Sequence, residues 1–141
     1  MIRALLIRHP WVDAILDGKK TWEIRGSRTA IRGTIGLIPS GSGTIAGMCE
    51  IVDCIGPLAA GVFRENAAKA GMRPTEARLG WYRNTYAWVL AKPRYLKKPV
   101  PYRHPRGAVI WVSLGGQTEQ AIREADTVQA FPVGPKTRPE C

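Results

Sequence analysis

The pattern of apolar and polar positions predicts a chain of short strands with few helices. Short alternating or continuous apolar runs are typical of strands, whereas apolar positions three and four residues apart are typical of helices. By these criteria the predicted strands cover residues 2–8, 20–25, 34–40, 44–55, 86–90 and 108–114. The predicted helices cover residues 10–17 and 58–70, with shorter helical pieces at 74–79 and 119–124. This content indicates an α+β fold built on a curled sheet or a small barrel.

The segment between the last two predicted strands, residues 91–107, interrupts this pattern. It contains Pro93, Pro99, Pro101 and Pro105, and proline lacks the backbone N–H that pairing inside a sheet requires. The segment is therefore predicted to be a loop or an irregular edge. It also carries a run of six basic side chains without an acidic one: Lys92, Arg94, Lys97, Lys98, Arg103 and Arg106.

Charge divides the chain into two parts. Lys and Arg number 21 and Asp and Glu number 11, so the formal net charge is +10. Residues 1–114 hold 18 basic and 7 acidic side chains, whereas residues 115–141 hold 3 and 4. This boundary predicts a folded basic domain over 1–114 and a C-terminal extension over 115–141 that is loosely packed or disordered. A basic domain suits a polyanion, because each neutralised phosphate releases condensed counterions; a solvated basic surface is the alternative.

Length and composition exclude several classes of protein. A chain of 141 residues suits one domain. No apolar run approaches the ~20 residues that cross a bilayer, and the stretch 4–7 is too short for a secretory signal. Cys49, Cys54 and Cys141 are an odd number without a close pair, which argues against a disulfide framework. With only two histidines, no zinc site is expected. We therefore expect a cytoplasmic protein with no metal, no other cofactor and no membrane partner.

The densest group of reactive side chains lies in the segment 18–25, GKKTWEIR. Because residues two apart on a strand share a face, Thr21, Glu23 and Arg25 are predicted to point the same way, with Lys20 at the mouth of the row. If this face lines a cleft, it offers cations for a phosphate and a carboxylate that can act as a general base. The alternative is a solvated strand face on which Glu23 and Arg25 pair.

Two other groups of side chains are candidates for binding a nucleic acid. The segment GWYRNTY contains Trp81, Tyr82 and Arg83, which can stack on a base and bond its edge; alternatively, the aromatic rings plug one end of a barrel. Basic residues near the loop 26–33 and in the run 92–106 are candidates for a positive rim around a cleft. These candidate phosphate-binding residues are Arg25, Arg28, Arg32, Lys97, Lys98 and Arg103.

The run LLIRHPWVDAILDGKKTWEIRG resembles the beginning of the ASCH domain, a family of the PUA-like superfamily. The shared pattern is a strand, a Pro-Trp helix start and then Gly-x-Lys-x-x-Glu-x-Arg, which falls on Pro10, Trp11, Gly18, Lys20, Glu23 and Arg25. The stretches GTIGLIPSGS, YAWVL and PVPYRHPRGAVIWVSL are similar to the family's remaining strands, so the resemblance covers residues 2–114. It implies a small PUA-like β-barrel of five to six strands with two or three flanking helices. It also implies a cleft between the barrel and the first helix that carries the Lys, Glu and Arg of the motif.

The resemblance implies a function in nucleic-acid recognition. Relatives are associated with RNA metabolism, transcription coactivation and nucleic-acid binding, so the expected ligand is RNA or DNA, with RNA favoured over DNA, or a nucleotide or nucleoside. A protein-interaction domain with an acidic partner is a further interpretation.

An enzyme is the alternative that the resemblance implies. Some small relatives hydrolyse N4-acetylcytidine with a Lys, a Thr and a Glu, and another relative cleaves RNA. Lys20 matches the lysine of the amidohydrolases, but Glu23 occupies the position of their threonine, and Thr21 lies one residue after the lysine. The candidate catalytic residues are therefore Lys20, Glu23 and Thr21. The Lys20–Glu23 pair would serve as base and electrostatic stabiliser for a bound water.

Overall fold

The computed structural model describes residues 1–128, which form six strands and three α-helices and confirm the α+β class. The strands are β1 (Ile2–Ile7), β2 (Trp22–Arg25), β3 (Gly33–Pro39), β4 (Thr44–Ile55), β5 (Tyr86–Pro101) and β6 (Trp111–Leu114). The helices are α1 (Trp11–Leu16), α2 (Ala60–Glu65), a 3₁₀ helix (Ala67–Ala70) and α3 (Gly116–Ala125). None of the helices in this part of the chain is long and apolar enough to cross a membrane.

All six strands belong to one mixed sheet with the order β2-β5-β4-β3-β1-β6. Strands β1 and β3 are parallel, and the other neighbours are antiparallel. The predicted closed barrel is not confirmed, because β2 and β6 stand at the two ends of the strand order. The sheet is nevertheless curled. Arg25 of β2 donates from Nη2 to the carbonyl of Leu6 on β1 at 3.1 Å, so a side chain bridges two strands that stand four places apart in the strand order.

Both faces of the central strands are buried, which explains why the stretch 4–7 is continuously apolar. Ala4 and Leu6 pack in one cluster with Ile122 of α3. Leu5 and Ile7 pack in another cluster, with the buried residues of α1. A third cluster places the apolar side chains of β2 against α2 and the 3₁₀ helix. The sheet is therefore covered by different helices on its two faces.

The helix predicted over 58–70 is divided at Asn66. Its side-chain Nδ2 donates to the carbonyl of Val62 at 2.8 Å, and its φ of −109° departs from helical geometry. A local side-chain bond of this kind competes with helix continuation. The helical piece predicted at 74–79 is wrong, since turns occupy that stretch.

Strand β5 continues far beyond the predicted end at Leu90 and reaches Pro101. The loop interpretation of residues 91–101 is therefore wrong, and the irregular-edge interpretation is confirmed. Ladder pairing with β2 ends at Val89, and beyond Leu90 the strand paired with β5 is β4 alone. Pro93 and Pro99 fall where the register with β4 shifts, and a free edge and a bulge are positions that tolerate a missing donor.

The beginning of the C-terminal extension is a packed helix, which corrects the expectation of loose packing for residues 115–128. Ile122 and Ala125 of α3 are buried in the first cluster. Arg94 of β5 holds Asp126 through two charge-assisted hydrogen bonds of 2.9 and 2.8 Å. The prediction failed because the burial depends on a β5 surface that composition does not reveal. Residues 129–141, including Cys141, lie outside the described residues, and a domain boundary at 114 stays a prediction.

Candidate functional site

A cleft of about 570 Å³ opens where the curled sheet brings β2 close to β1. Its floor is β2 together with Lys20, and its walls are the end of β1, the start of α1 and the segment 72–82. Polar and charged lining residues are Arg8, Lys20, Glu23, Arg25 and Ser40, and aromatic lining residues are Trp11, Trp81 and Tyr82. Both groups of predicted chemistry, the motif and the GWYRNTY aromatics, therefore meet in one cavity.

Lys20 is the most buried charged group of the cleft, with 2% of its surface exposed. Its Nζ donates to the carbonyl of Ala70 at 2.7 Å and lies 3.6 Å from Oε1 of Glu23. It also lies 4.9 Å from the centroid of the Trp11 ring, a favourable cation–π position. Gly71 has a φ of +73° and ends the 3₁₀ helix directly against the aliphatic part of Lys20.

Burial lowers the pKa of the Lys20 ammonium below its usual value of 10.5, and the adjacent carboxylate of Glu23 only partly opposes this effect. Arg25 adds a small contribution in the same direction as burial. A buried lysine with a lowered pKa is a common feature of sites that move protons or stabilise negative charge.

Glu23 is the centre of the charged group, with one cation beside each carboxylate oxygen. Nε of Arg25 donates to Oε2 at 2.9 Å, and Lys20 stands at Oε1. Arg25 also donates to the Leu6 carbonyl and lies 5.5 Å from the centroid of the Trp88 ring. Two of its donors are thus committed to protein atoms. Arg25 holds Glu23 and joins β2 to β1, and the phosphate binding predicted for it stays a prediction.

The mouth of the cleft combines aromatic rings with an unpaired cation. Trp81 and Tyr82 have exposed fractions of 51% and 40%. The ring of Tyr82 packs so closely on Gly26 that a Cβ at that position would lie 2.5 Å from Cδ1. Arg8 is exposed, and its guanidinium makes no hydrogen bond or ion pair with residues 1–128. Sequence reasoning missed Arg8, although its place directly after β1 and three residues before α1 is a signal that could have found it.

Thr21 does not join the predicted row of polar side chains. It is exposed and is absent from the cleft lining. Its N–H donates to the Lys69 carbonyl, and its own carbonyl accepts from Leu90 N. Strand β2 begins only at Trp22, so strand alternation does not extend back to Thr21. Lys20, and not Thr21 as strand alternation predicted, lines the cleft beside Glu23.

The other predicted binding residues lie outside the cleft lining. Arg28 donates to the Gly56 carbonyl at 3.2 Å, and Arg32 donates to the carbonyls of Thr29 and Ile31. These bonds hold the loop 26–33 in place. Exposed residues that likewise do not line the cleft are Arg83, Lys97, Lys98 and Arg103. None of these basic residues lines the cleft, and both a positive rim around it and their binding of a ligand stay predictions.

Residues 1–128 contain no group of three or more His, Cys, Asp or Glu side chains placed to hold a metal ion. Cys49 is buried and Cys54 is partly buried, and both are free thiols. Burial raises the pKa of the Cys49 thiol to about 12, so this residue behaves as a small apolar side chain.

Comparison with known proteins connects this site to a family. The family model of the ASCH domain matches residues 5–100. The chain belongs to the ASCH domain family. The matched range contains the whole charged motif and the aromatic segment, which confirms the family inferred from the motif. No curated protein matches the chain.

Solved ASCH structures share the fold at low sequence identity. The crystal structure of ASCH from Zymomonas mobilis has a TM-score of 0.66 and 13% identity, over 86% of this chain and 93% of that chain. A tyrosine-to-phenylalanine mutant of the same protein gives 0.65 and 13%, over 86% and 96%. Its serine-to-alanine mutant gives 0.63 and 14%, over 86% and 94%. Identities this low show a common fold and do not transfer the role of any residue.

Proposed function

We propose that this ASCH domain binds RNA by accepting one nucleotide in the cleft between β1 and β2. The observation that supports the proposal is the joint presence of exposed aromatic rings, a free guanidinium and a buried donor–acceptor pair in one cavity. A volume of about 570 Å³ is in the range of cavities that take small organic ligands. Aromatic rings at the mouth suit stacking on an unpaired base.

Each part of the cleft has a task in this proposal. Arg8 meets the phosphate, since among the cations that line the cleft it is the one without a hydrogen bond or ion pair from its guanidinium to residues 1–128. Trp81 and Tyr82 stack on the base. Lys20 retains donor capacity beyond its bond to the Ala70 carbonyl, and a carboxylate such as Glu23 offers about four acceptor sites. Together they present a donor beside an acceptor, which matches a base edge that shows a carbonyl next to an amino group.

The basic run of β5 contributes in a different way. Lys97 and Lys98 are exposed and lie outside the cleft, so they supply an attraction for phosphates that is independent of sequence. The net charge of +10 favours encounter with a polyanion over long distances. The cleft selects the nucleotide, and the outer surface retains the strand.

A binding experiment tests the proposal. Fluorescence anisotropy would compare labelled single-stranded RNA with DNA of the same sequence, over a range of salt concentrations. We expect tighter binding to RNA and an affinity that falls steeply with salt. Trp81→Ala should weaken binding about fivefold or more, because base stacking contributes about 1–3 kcal/mol. Exposed Val62→Ala on α2 is the control. Absence of binding to both nucleic acids, or equal affinity of parent and Trp81→Ala, would contradict the proposal.

Hydrolysis of a modified nucleoside is a second candidate function, favoured by the buried Lys20 whose pKa is lowered and which stands beside Glu23. In this reaction Lys20 and Glu23 would activate a water molecule for attack on the acetyl carbonyl of N4-acetylcytidine. The amide bond between the acetyl carbon and N4 would break, N4 would take a proton, and cytidine and acetate would leave.

A turnover assay separates this candidate from binding alone. The purified protein is incubated with N4-acetylcytidine and, separately, with a structured RNA, and products are separated by chromatography. Product that forms with the parent and disappears with Lys20→Met would establish an enzyme. No product from either substrate would remove the second candidate and leave the binding proposal in place.

A further inference from the structure

A second cavity of about 300 Å³ adjoins the cleft. Trp11, Met72 and Trp81 line both cavities. Thr75 and Arg78 line the second cavity and not the first. The two cavities are therefore neighbouring compartments that share a wall, and the two tryptophans belong to that wall.

The second cavity has the same chemical character as the mouth of the cleft. Two indole rings provide apolar faces, and the guanidinium of Arg78 forms no ion pair or side-chain hydrogen bond within residues 1–128. The one acidic lining residue, Glu76, accepts hydrogen bonds from the backbone N–H of Arg73 at 2.8 Å and from its Nε at 3.3 Å. The charge of that carboxylate is thus partnered, whereas the charge of Arg78 is free.

We infer that the second cavity holds the nucleotide next to the one in the cleft, so that the ligand unit is a dinucleotide or a longer strand rather than a free nucleoside. This inference rests on the proposed function. Trp81 is 51% exposed in the structure, and a single nucleotide stacked on its cleft side would leave the side that lines the second cavity uncovered. A second base can cover the indole, since every base has a face that stacks on an aromatic ring.

The two free guanidiniums support the same conclusion. Arg8 lines the cleft and not the second cavity, while Arg78 lines the second cavity and not the cleft. One unpartnered cation on each side of the shared wall suits two consecutive phosphates of one strand. A small nucleoside without phosphate would use neither of them.

Binding to mononucleotides and dinucleotides tests the inference. Isothermal titration would use the four ribonucleoside 5′-monophosphates and the sixteen 5′-phosphorylated ribodinucleotides, which carry two consecutive phosphates, with the parent and two variants of residues that line only the second cavity. Arg78→Ala removes the free charge, and Thr75→Trp fills the cavity. Arg64→Ala, an exposed arginine of α2 outside both cavities, is the control for net charge. Thermal unfolding of each variant checks its folding, and Arg78→Ala alone decides the test if Thr75→Trp does not fold.

We expect the best dinucleotide to bind the parent about tenfold more tightly than the best mononucleotide. Arg78→Ala and Thr75→Trp should remove most of this difference and leave mononucleotide affinity unchanged, and Arg64→Ala should keep the difference. Equal affinities in the parent, or an equal loss for both ligand sizes in Arg78→Ala, would overturn the inference while the proposed function stands. Failure of both ligand sizes and of longer RNA to bind would instead overturn the proposed function.

Discussion

Two groups of basic residues in this protein have the same charge and opposite surroundings. In the cleft, Lys20 is nearly inaccessible to solvent and shares the carboxylate of Glu23 with Arg25. On the second half of β5, Lys97 and Lys98 stand in solvent without an ion pair to residues 1–128. The comparison teaches that net charge alone says little about function. A buried cation with fixed partners can recognise one defined group, whereas an exposed cation without a partner attracts any anion.

Ion pairs in the two regions should differ in energy for the same reason. When one partner of a buried ion pair is removed, no water can replace it beside the remaining charge. Removing that partner therefore lowers the free energy of unfolding by about 3–5 kcal/mol. An exposed pair exchanges its contact for hydration and contributes about 0–1 kcal/mol. Lys92 and Glu50 form such a pair, 3.5 Å apart with 67% of the lysine side chain exposed. Four predictions test this contrast.

The largest effect is expected for Glu23→Ala. The substitution leaves Lys20 and Arg25 with no carboxylate between them, so the free energy of unfolding should fall by about 3–5 kcal/mol. Urea denaturation monitored by tryptophan fluorescence measures the change. Glu50→Ala is the matched control and should lower stability by less than about 1 kcal/mol. Similar losses in the two variants would mean that burial does not distinguish the two regions.

Binding should separate the regions next. Lys20→Met removes a charged donor from the cleft, and such bonds contribute about 1.5–3 kcal/mol, or roughly tenfold to a hundredfold in affinity. The salt dependence of RNA binding should stay unchanged in this variant. The double variant Lys97→Ala/Lys98→Ala should instead reduce the slope of log affinity against log salt by about two. Both quantities come from anisotropy titrations at several salt concentrations. A changed slope in Lys20→Met would show that its charge acts as a surface charge does.

The ion pair between Arg94 and Asp126 lies between these extremes, with side-chain exposed fractions of 12% and 16%. Arg94→Ala should lower the free energy of unfolding by about 1–2 kcal/mol. This loss is larger than that of an exposed ion pair and smaller than that of a buried one. Hydrogen bonds from Arg94 lower the pKa of Asp126 below its usual 3.8. This stabilisation is therefore complete above pH 3.8 and is lost as pH falls through the lowered pKa. Denaturation at neutral and at acid pH should show the difference between parent and variant shrinking in acid.

The smallest effect concerns the pH dependence of stability at high pH. Because burial lowers the pKa of Lys20 in the folded state, the unfolded chain binds more protons between that lowered pKa and 10.5. The contribution of Lys20 to the free energy of unfolding should therefore rise with pH in this interval. Lys20→Met should abolish this rise. Urea denaturation of the parent and the variant from pH 8 to 10.5 would measure the difference. Parallel curves would contradict a lowered pKa. Lys97→Met, at an exposed position, should leave the rise intact.

Predictions from the sequence succeeded where the signal was local and failed where burial came from distant residues. The bounds of β4 agree with the predicted strand, because a long alternating pattern marks one buried face. The motif was found because Lys20, Glu23 and Arg25 are close in the chain. By contrast, the continuation of β5 through Pro93 and Pro99 depends on which edge of the strand is free, and this follows from where β2 begins, since its first residue, Trp22, pairs with Val89.

The amino-acid sequence alone determined the presence of six strands, the first helix, the family and the motif, since hydrophobic periodicity and short-range spacing are properties of neighbouring residues. Tertiary structure decided the site. It placed the carbonyl of Ala70 on Lys20 across 50 positions of the chain, committed Arg25 to Leu6, and put Arg8 in the cleft lining without an ion pair to residues 1–128. The physical reason is that partners and desolvation set the chemistry of a charged group, and both depend on residues that only the folded chain brings together.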